Sequence, residues 1–336
     1  MDWFERLTGF REASYDETRA MLRVEGDRLR SLANDQSYGI GTLELVSLRE
    51  LREKSACGLA GRIKVSIAEG DVREMHLRPE YAGALVQVAS QFNLLEMTSP
   101  DITPEHGVTR YQHDRTQGPA CAMAAGAATI YRNYLAPVGG GQGQTMDRQF
   151  DGLAGVGHAL STALNRPVTS LWQMRNGYAL CTQDGLDAIS AHLGKLDSEQ
   201  LDELRGALCI GIHRDIDVTD VPEGARPQVS QAFCSALPVS YTQVERSHWK
   251  AFATLVLEAA YEATLCAAVH NARRGASNTV LLTSLGGGAF GNDQRWIHAA
   301  MRRALEKMSE TALDVRVVSF SPPSLELRKA IQILDS

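Results

Sequence analysis

A buried strand that runs directly into a glycine-rich turn is the feature that most restricts the fold of this chain. Residues 279–285 form a nearly continuous apolar run, as in strands of a sheet covered on both faces. Residues 286–292 then have the sequence Gly-Gly-Gly-Ala-Phe-Gly-Asn. A long amphipathic helix is predicted before this unit, at 249–273, and a helix (294–308) and a strand (315–320) are predicted after it. This order predicts an α/β fold with a parallel sheet.

The glycine-rich loop has two interpretations. Glycines between a strand and a helix let backbone N–H groups approach an anion, and the helix N-terminus adds a positive dipole end, so phosphate or nucleotide binding is one of them. A tight turn that needs glycine for its dihedral angles is the other. The loop has neither the lysine of a P-loop nor the dinucleotide fingerprint, which argues against a P-loop NTPase.

Composition and charge limit the classes of partner. The 336 residues carry 34 Lys and Arg against 40 Asp and Glu, a net charge of −6, so there is no strong global signal for nucleic-acid binding. The six cysteines are scattered without CxxC pairs, as expected of reduced thiols in a cytoplasmic protein. No signal peptide, membrane span, metal-ligand cluster or cofactor is predicted.

Polar side chains follow two predicted strands. A strand from Arg62 stops at Gly70-Asp71, and a strand over 84–90 is followed by Asn93 and Glu96. Because ligands of open α/β sheets bind at the carboxyl ends of the strands, these groups are candidates. Asp71 is either a turn residue or an acceptor for an exocyclic amine such as that of adenine. Asn93 suits a ribose hydroxyl, and Glu96 is either a general acid or base or a solvated charge.

A second anion site is predicted where a polar loop enters a helix. The loop ends at Gly118-Pro119, which opens a small-residue helix from Ala120 to Tyr134. Cys121 lies in its first turn and could pair with His113 or His106 as a nucleophile. A buried small residue in an alanine-rich helix is the interpretation that we favour for this cysteine.

The order of these motifs resembles a macrodomain, the α/β/α fold that binds ADP-ribose. The resemblance covers roughly residues 62–135 and 229–320. It implies that Asp71 binds adenine, that Asn93 and Phe290 lie by the distal ribose, and that both loops grip the diphosphate. The implied ligand-binding residues are Asp71, Asn93, Gln117, Gly118, Gly286, Gly287, Gly288, Ala289, Phe290, Gly291 and Asn292.

The resemblance implies a function as well. It predicts a protein that binds ADP-ribose or an ADP-ribosylated protein or nucleic acid and hydrolyses an ADP-ribosyl linkage, with Glu96, Asp114 and Glu105 as candidate catalytic residues. The Gln-Glu-Glu signature of poly(ADP-ribose) glycohydrolases is absent after Gly139–Gly141. A binding module without turnover is therefore the alternative, and an unrelated α/β nucleotide enzyme is a third interpretation.

The predicted fold class is a three-layer α/β/α macrodomain-like mixed sheet with additions. Residues 1–61 form a helical N-terminal extension, and residues 62–330 form a single α/β domain with an insertion at about 136–228. The insertion contains a glycine-rich segment, 139–145, that is either a linker or a mobile lid. We expect the added length to wrap the ligand cleft and to set substrate choice.

Overall fold

A computed structural model describes residues 1–56, 59–221 and 226–332. The strands are β1 (Leu22–Glu25), β2 (Arg28–Ser31), β3 (Ser37–Gly39), β4 (Thr42–Ser47), β5 (Lys64–Glu69), β6 (Leu85–Ala89), β7 (Pro137–Val138), β8 (Gly141–Gln142), β9 (Trp172–Arg175), β10 (Tyr178–Cys181), β11 (Cys209–Asp217), β12 (Gln228–Cys234), β13 (Thr279–Leu282) and β14 (Asp314–Ser319). The helices are α1 (Trp3–Thr8), α2 (Tyr15–Ala20), α3 (Leu48–Ser55), α4 (Val72–Met75), α5 (Gln117–Ala124), α6 (Gly126–Tyr134), α7 (Ala154–Leu164), α8 (Val168–Leu171), α9 (Gln183–Leu193), α10 (Ser198–Gly206), α11 (Arg246–Arg273), α12 (Gln294–Lys307) and α13 (Leu325–Gln332).

The centre of the protein is a mixed sheet. Within the described residues it has seven strands in the order β4-β11-β12-β6-β13-β14-β5. The five strands from β12 to β5 are mutually parallel, and β11 runs antiparallel to both of its neighbours. Their carboxyl ends therefore meet at one edge, where ligands bind in open α/β sheets.

Helices cover both faces of this sheet. Successive residues of β6 alternate between the two faces, so Leu85 joins the core under α3, α11 and α12, while Val86 and Val88 join the core under α4 and α5. Apolar residues fill both layers, which explains why β13 is apolar and buried from Val280 to Leu282. The predicted three-layer α/β/α fold with a mixed sheet is confirmed.

Two strands of the sheet lie in segments that the sequence analysis placed outside it. β4 comes from residues 1–61, which were expected to be helical, and β11 comes from residues 136–228, which were expected to be an insertion. The two strands pair with each other, and β11 pairs with β12. Both segments therefore contribute to the sheet, and the prediction that its strands come only from outside them is wrong.

The helix predicted over 120–134 is two helices. It begins three residues earlier, at Gln117, and breaks at Ala125. The break is stabilised from outside the helix, because Thr219 accepts a hydrogen bond at Oγ1 from the Gly126 N–H (2.8 Å) and donates its own N–H to the Ala124 carbonyl (2.8 Å). The sequence of the helix carries no signal for a partner that distant.

An ion network joins part of the predicted insertion to the core. Asp202 on α10 pairs with Arg303 on α12 at 2.7 Å. Glu262 on α11, with 3% of its side chain exposed, pairs with Arg52 at 2.7 Å, Arg303 at 2.8 Å and Lys307 at 3.0 Å. These cations hold the pKa of Glu262 below its usual value in spite of its burial. A shared network of this kind ties α10 to the fold more firmly than an isolated surface pair could.

The described cysteines are all free, namely Cys121, Cys181, Cys209, Cys234 and Cys266; Cys57 lies outside the described residues. Among the described helices, α11 is long and apolar enough to cross a membrane, but 89% of its most apolar window is buried inside the protein. Burial of this extent is typical of a core helix.

Glu12 anchors the N-terminal segment to the polar loop that leads to α5. Its Oε1 accepts hydrogen bonds from the Val108 N–H (2.8 Å) and the Tyr134 hydroxyl (2.7 Å), and its Oε2 accepts one from the Thr109 N–H (2.8 Å). The carboxylate thus satisfies donors on two elements that are about one hundred residues away in the sequence.

Replacing Glu12 by alanine should lower the free energy of unfolding by about 2–3 kcal/mol, because hydrogen bonds to a charged acceptor are lost and two backbone donors are orphaned. Denaturant unfolding monitored by circular dichroism measures the change. Glu53→Ala, which removes an exposed carboxylate from α3, is the control and should change stability by less than about 0.5 kcal/mol. Equal stability of the two variants would contradict the anchoring role.

Candidate ligand-binding cleft

A cleft lies at the carboxyl ends of the parallel strands. It consists of two hollows that share Asp114, Gln117, Thr283 and Ser284. We call the hollow beside Asp71 the Asp71 end and the hollow beside Phe290 the aromatic end. The Asp71 end is lined by Gly70, Asp71, Val72, Arg73, Gln112, Arg115, Ala120, Met123, Val318, Ser319 and Phe320. The aromatic end is lined by Ala89, Ser90, Gln91, Glu96, Met97, Thr98, Thr116, Gly118, Pro119, Tyr178, Ala236, Tyr241, Leu285, Gly286, Gly288, Ala289 and Phe290.

The cleft exists because β6 and β13 separate towards their carboxyl ends. Their pairing covers only Leu85 and Val86 of β6. Beyond that point the Gln117 side chain takes the place of a strand: its Oε1 accepts from the Ala89 N–H and its Nε2 donates to the Gln87 carbonyl, both at 2.8 Å. The side-chain amide of Gln117 is thus bonded to the sheet, so its backbone N–H is the group that could meet a ligand.

Gly118 allows the start of α5 to approach the sheet. A Cβ at this position would lie 2.1 Å from the Ala89 carbonyl oxygen and 3.2 Å from the Cγ of Glu96. No side chain fits in this space. Glycine is therefore required at position 118 because α5 and β6 approach each other closely, and not because of its dihedral angles. The first turn of α5 is thereby brought to the wall of the cleft, where Gln117, Gly118 and Pro119 line the aromatic end.

The structure supports the turn interpretation of the glycine-rich loop and places part of the loop on the cleft. Gly286 and Gly291 have φ of +73° and +69°, so they are turn glycines in the left-handed region. Gly288 has open space around its Cα and lines the cleft, as do Gly286 and Ala289. Asn292 lies beneath the loop and donates to the Leu237 carbonyl at 2.9 Å. The exposed part of the loop therefore lines the cleft, and the buried Asn292 side chain joins the loop to the core.

The Asp71 end combines a carboxylate with an aromatic ring. Asp71 is the N-cap of α4, where its Oδ1 accepts from the Arg73 N–H at 2.8 Å, so the turn interpretation is correct for that oxygen. Arg73 is held by Asp220 at 2.6 Å. Phe320 follows β14 and is 80% exposed beside Asp71. An acceptor next to an exposed ring is suited to a planar heterocycle with an exocyclic amine.

The aromatic end is walled by three rings from three parts of the chain. Tyr178 comes from β10, Tyr241 from the 3-10 turn at Val239–Tyr241, and Phe290 from the glycine-rich loop. The ring centroids are 5.0 Å apart for the two tyrosines, 5.3 Å for Tyr178 and Phe290, and 5.5 Å for Tyr241 and Phe290. Aromatic contacts at these distances form a stable apolar wall.

The turn after β6 brings Glu96 to this end. Gln91 closes the turn, since its side chain accepts from the Met97 N–H and donates to the Met97 carbonyl. Glu96 is 2% exposed and pairs with Arg132, whose Nη2 lies 3.1 Å from Oε1 and 3.3 Å from Oε2. Burial raises the pKa of Glu96 to about 7, although the Arg132 charge opposes this shift. A carboxyl group of this kind can exchange a proton near neutral pH.

Asp114 is the other carboxylate of the cleft and lies where the two hollows meet. Its Oδ1 accepts from the Thr116 N–H at 2.8 Å and from the Thr116 hydroxyl at 2.7 Å. The side chain is partly exposed, in contrast to Glu96. Asp114 is therefore a carboxylate that a ligand can reach without a rearrangement of the protein.

Several sequence-predicted residues do not line the cleft. Asn93 is fully buried behind the turn, where it donates to Gln149 at 2.8 Å and accepts from the Leu95 N–H, so the structure does not support its predicted ribose contact. Glu105 accepts from the Met146 N–H at 2.8 Å, away from the cleft. Gly287 and Gly291, which are partly exposed, and Asn292, which is buried, are also absent from the lining.

Cys121 is buried, and burial raises the pKa of its thiol well above the usual value. Its sulfur accepts from Gln117 rather than facing a histidine. The interpretation favoured from the sequence, a buried thiol, is therefore the one that the structure supports. The segment 139–145 contains the turn and the second strand of the β7–β8 hairpin, and none of its residues lines the cleft. In the described ranges no group of three or more metal-ligating side chains occurs.

Sequence reasoning missed Gln91, Tyr178, Tyr241 and Phe320. Gln91 lies two residues before Asn93. Which of the two residues lines the cleft depends on the shape of the turn, and the sequence does not show that shape. Phe320 carried a usable signal, since it ends a predicted parallel strand. Tyr178 carried none, because it reaches the cleft from residues 136–228 by tertiary packing alone.

Comparisons with known proteins give matches only among solved structures. No family model matches the sequence, and no curated protein matches it. Poly(ADP-ribose) glycohydrolase from Deinococcus radiodurans in complex with ADP-ribose is similar at 11% identity and a TM-score of 0.47, over 87% of this chain and 95% of that one. The glycohydrolase from Thermomonospora curvata is similar at 13% identity and a TM-score of 0.44, over 95% and 97%. The fold described above rests on the sheet topology of this chain itself.

Gly118→Ala should destabilise the protein by at least about 2 kcal/mol, because the new methyl group overlaps the Ala89 carbonyl oxygen. Gly288→Ala is the matched control, since a Cβ there meets nothing within 4 Å, and its stability should stay within about 0.5 kcal/mol of the wild type. Thermal unfolding of both variants tests the pair. A Gly118→Ala protein as stable as the control would disprove the close approach of α5 to β6.

Proposed function

We propose that the cleft binds ADP-ribose or an ADP-ribosyl group and that the protein hydrolyses an ADP-ribosyl linkage. The observation that carries the proposal is the order of chemistry along one continuous cleft. A carboxylate and an exposed ring stand at one end, Gln117 at the start of α5 lines both hollows, and the glycine-rich loop lies beside an aromatic wall and a buried carboxyl group at the other end. This order corresponds to adenine, diphosphate and distal ribose.

Each part of the ligand has a suitable partner. The Oδ2 of Asp71 is not used by the α4 cap and can accept from the exocyclic amine of adenine. The start of α5 and the glycine-rich loop would bind the diphosphate through backbone dipoles, which suits a chain of net charge −6. The aromatic wall would pack on the apolar face of a ribose ring. The poly(ADP-ribose) glycohydrolase from Deinococcus, whose similarity to this chain is low, is in complex with ADP-ribose, the ligand proposed here.

Hydrolysis would use a carboxylate at the aromatic end. As the bond from the anomeric carbon to the leaving oxygen breaks, its electron pair goes to that oxygen, and the oxygen of a water molecule bonds to the carbon. The carboxylate takes a proton from this water and returns it to the leaving oxygen. A carboxylate and the bound diphosphate would also stabilise the oxocarbenium-like transition state. Glu96 and Asp114 are the carboxylates that line this end of the cleft.

A binding module without turnover is the second candidate, and one observation favours it. The side chains of Glu96 and Arg132 are both 0% exposed and are paired with each other. If that pair serves packing alone, only Asp114 remains as a reachable carboxylate.

The proposed partners are an ADP-ribosylated protein or nucleic acid, in the cytoplasm. The scattered free thiols support a reducing compartment. Product analysis on ADP-ribosylated protein and on ADP-ribosylated nucleic acid, assayed separately, distinguishes the two partners.

Asp71→Asn should weaken ADP-ribose binding about tenfold, because a hydrogen bond to a charged acceptor is lost. Asparagine keeps the N-cap oxygen, so the fold is retained. Isothermal titration calorimetry measures the affinity for ADP-ribose and for its hypoxanthine analogue. The ratio of the affinity for the analogue to the affinity for ADP-ribose should be higher in the variant than in the wild type. Asp293→Asn makes the same change at the N-cap of α12, outside the cleft, and should bind like the wild type. Failure of the wild type to bind ADP-ribose would refute the proposed function.

Glu96→Gln should reduce hydrolysis of an ADP-ribosyl linkage by at least about a hundredfold while ADP-ribose still binds. Chromatographic detection of released ADP-ribose, from a panel of O-linked and N-linked substrates, measures turnover. Asp114→Asn tests the other lining carboxylate, and Glu105→Gln, away from the cleft, is the matched control. Binding by the wild type without turnover of any substrate would select the binding module instead.

A further inference from the structure

We infer that Arg132 is a positioning residue that holds Glu96 as a charged carboxylate at the wall of the cleft, so that Glu96 acts as a base. This inference rests on the proposed function and assigns a role to a residue that the sequence analysis did not single out. Arg132 lies on α6 and does not line the cleft, so it acts through Glu96 rather than on a ligand.

Arg132 holds both the side chain and the backbone of the turn that carries Glu96. Its Nη2 donates to both carboxylate oxygens of Glu96, and its Nε donates to the Leu94 carbonyl at 3.1 Å. The guanidinium itself is fixed, since Nη2 also donates to the Thr129 hydroxyl at 3.1 Å and the group lies 3.9 Å above the Phe233 ring. One buried cation therefore sets the place of Glu96 relative to the turn.

The turn is one that needs such support. Leu94 has φ of +63°, the left-handed region that a leucine rarely adopts, and it is 1% exposed. The other non-glycine residues with positive φ in the described chain are all Asp or Asn, which tolerate this conformation. A strained backbone beside a ligand cleft persists only where neighbouring contacts fix it, and here the Arg132 bond to the Leu94 carbonyl is one of them.

The ion pair is hard to explain by stability alone. A fully buried pair loses so much hydration that apolar residues of similar size often stabilise a protein equally well. In this pair the Nη1 of Arg132 has no hydrogen-bond partner among the described residues, which adds a further cost. The pair is therefore better explained by what it does to Glu96 than by its contribution to folding.

The groups that face Glu96 make Arg132 its main electrostatic partner. Tyr111, from the 3-10 turn before α5, and Cys121 on α5 are both buried, and burial, with the Glu96 charge adding to it, raises the pKa of each. Both are therefore neutral near pH 7, so the Arg132 guanidinium is the cation that opposes protonation of Glu96. Without Arg132, burial alone would protonate the carboxyl group, and a protonated Glu96 could not accept the proton of a water molecule.

The pH dependence of kcat/KM tests this inference. For a base of raised pKa, the wild-type rate should increase as pH rises through about 7. In Arg132→Met this increase of kcat/KM should occur at least one pH unit higher, and kcat at pH 7 should be at least tenfold lower. Arg132→Lys keeps the charge but cannot bond both Glu96 and Leu94, so it should restore part of the rate. Because no ligand contact is lost, ADP-ribose affinity measured by calorimetry should change less than threefold in both variants.

Arg205→Met is the matched control, since it removes the arginine of an Arg–Glu pair outside the cleft, with Glu258 at 2.7 Å, and it should keep the wild-type pH profile. If Arg132→Met does not fold, the wild-type profile and Arg132→Lys decide. A wild-type rate that falls as pH rises through 7, or Arg132 variants that keep the wild-type profile and kcat, would overturn the inference and leave the proposed function standing. Absence of both binding and turnover in the wild type would instead refute the proposed function, and this inference with it.

Discussion

The separation of β6 from β13 is the constraint on which the rest of the cleft depends. Parallel strands that stayed paired to their ends would leave no space for a ligand between them. Here the side-chain amide of Gln117 bonds to the free edge of β6 in place of β13. The backbone groups of a buried strand must be satisfied, and an amide side chain supplies one acceptor and one donor in the spacing of a peptide. The opening is therefore stable without a ligand.

This arrangement determines what surrounds the opening. Gln117 lies in the first turn of α5, and its hydrogen bonds hold that turn against β6. The two elements are so close there that only glycine fits at position 118. The same turn then stands opposite the glycine-rich loop after β13. The start of α5 and the glycine-rich loop line one space, so the proposed anion binding would not require a basic surface in a protein with a net charge of −6.

The sequence predicted much of the fold and the two ends of the cleft. Periodicity and turn residues located β5, β6, β13 and β14, since these strands carry strong local patterns. Asp71 and the glycine-rich loop were predicted for the same reason. β4 and β11 were missed because they are less distinct in sequence and their place is set by pairing with each other. Asn93 was preferred to Gln91 because strand-end position alone cannot show which side chain the following turn directs into the cleft.

What the sequence determined by itself is the chemistry that local pattern carries: an α/β sheet, a glycine-rich loop before a helix, and carboxylates after the strands. The tertiary structure decided which of those groups act together. It placed Glu96 against Arg132 and buried both, and it brought Tyr178 from a distant hairpin to the aromatic wall. The physical reason is that protonation, exposure and orientation depend on neighbours that are distant in sequence, and a local pattern contains no information about them.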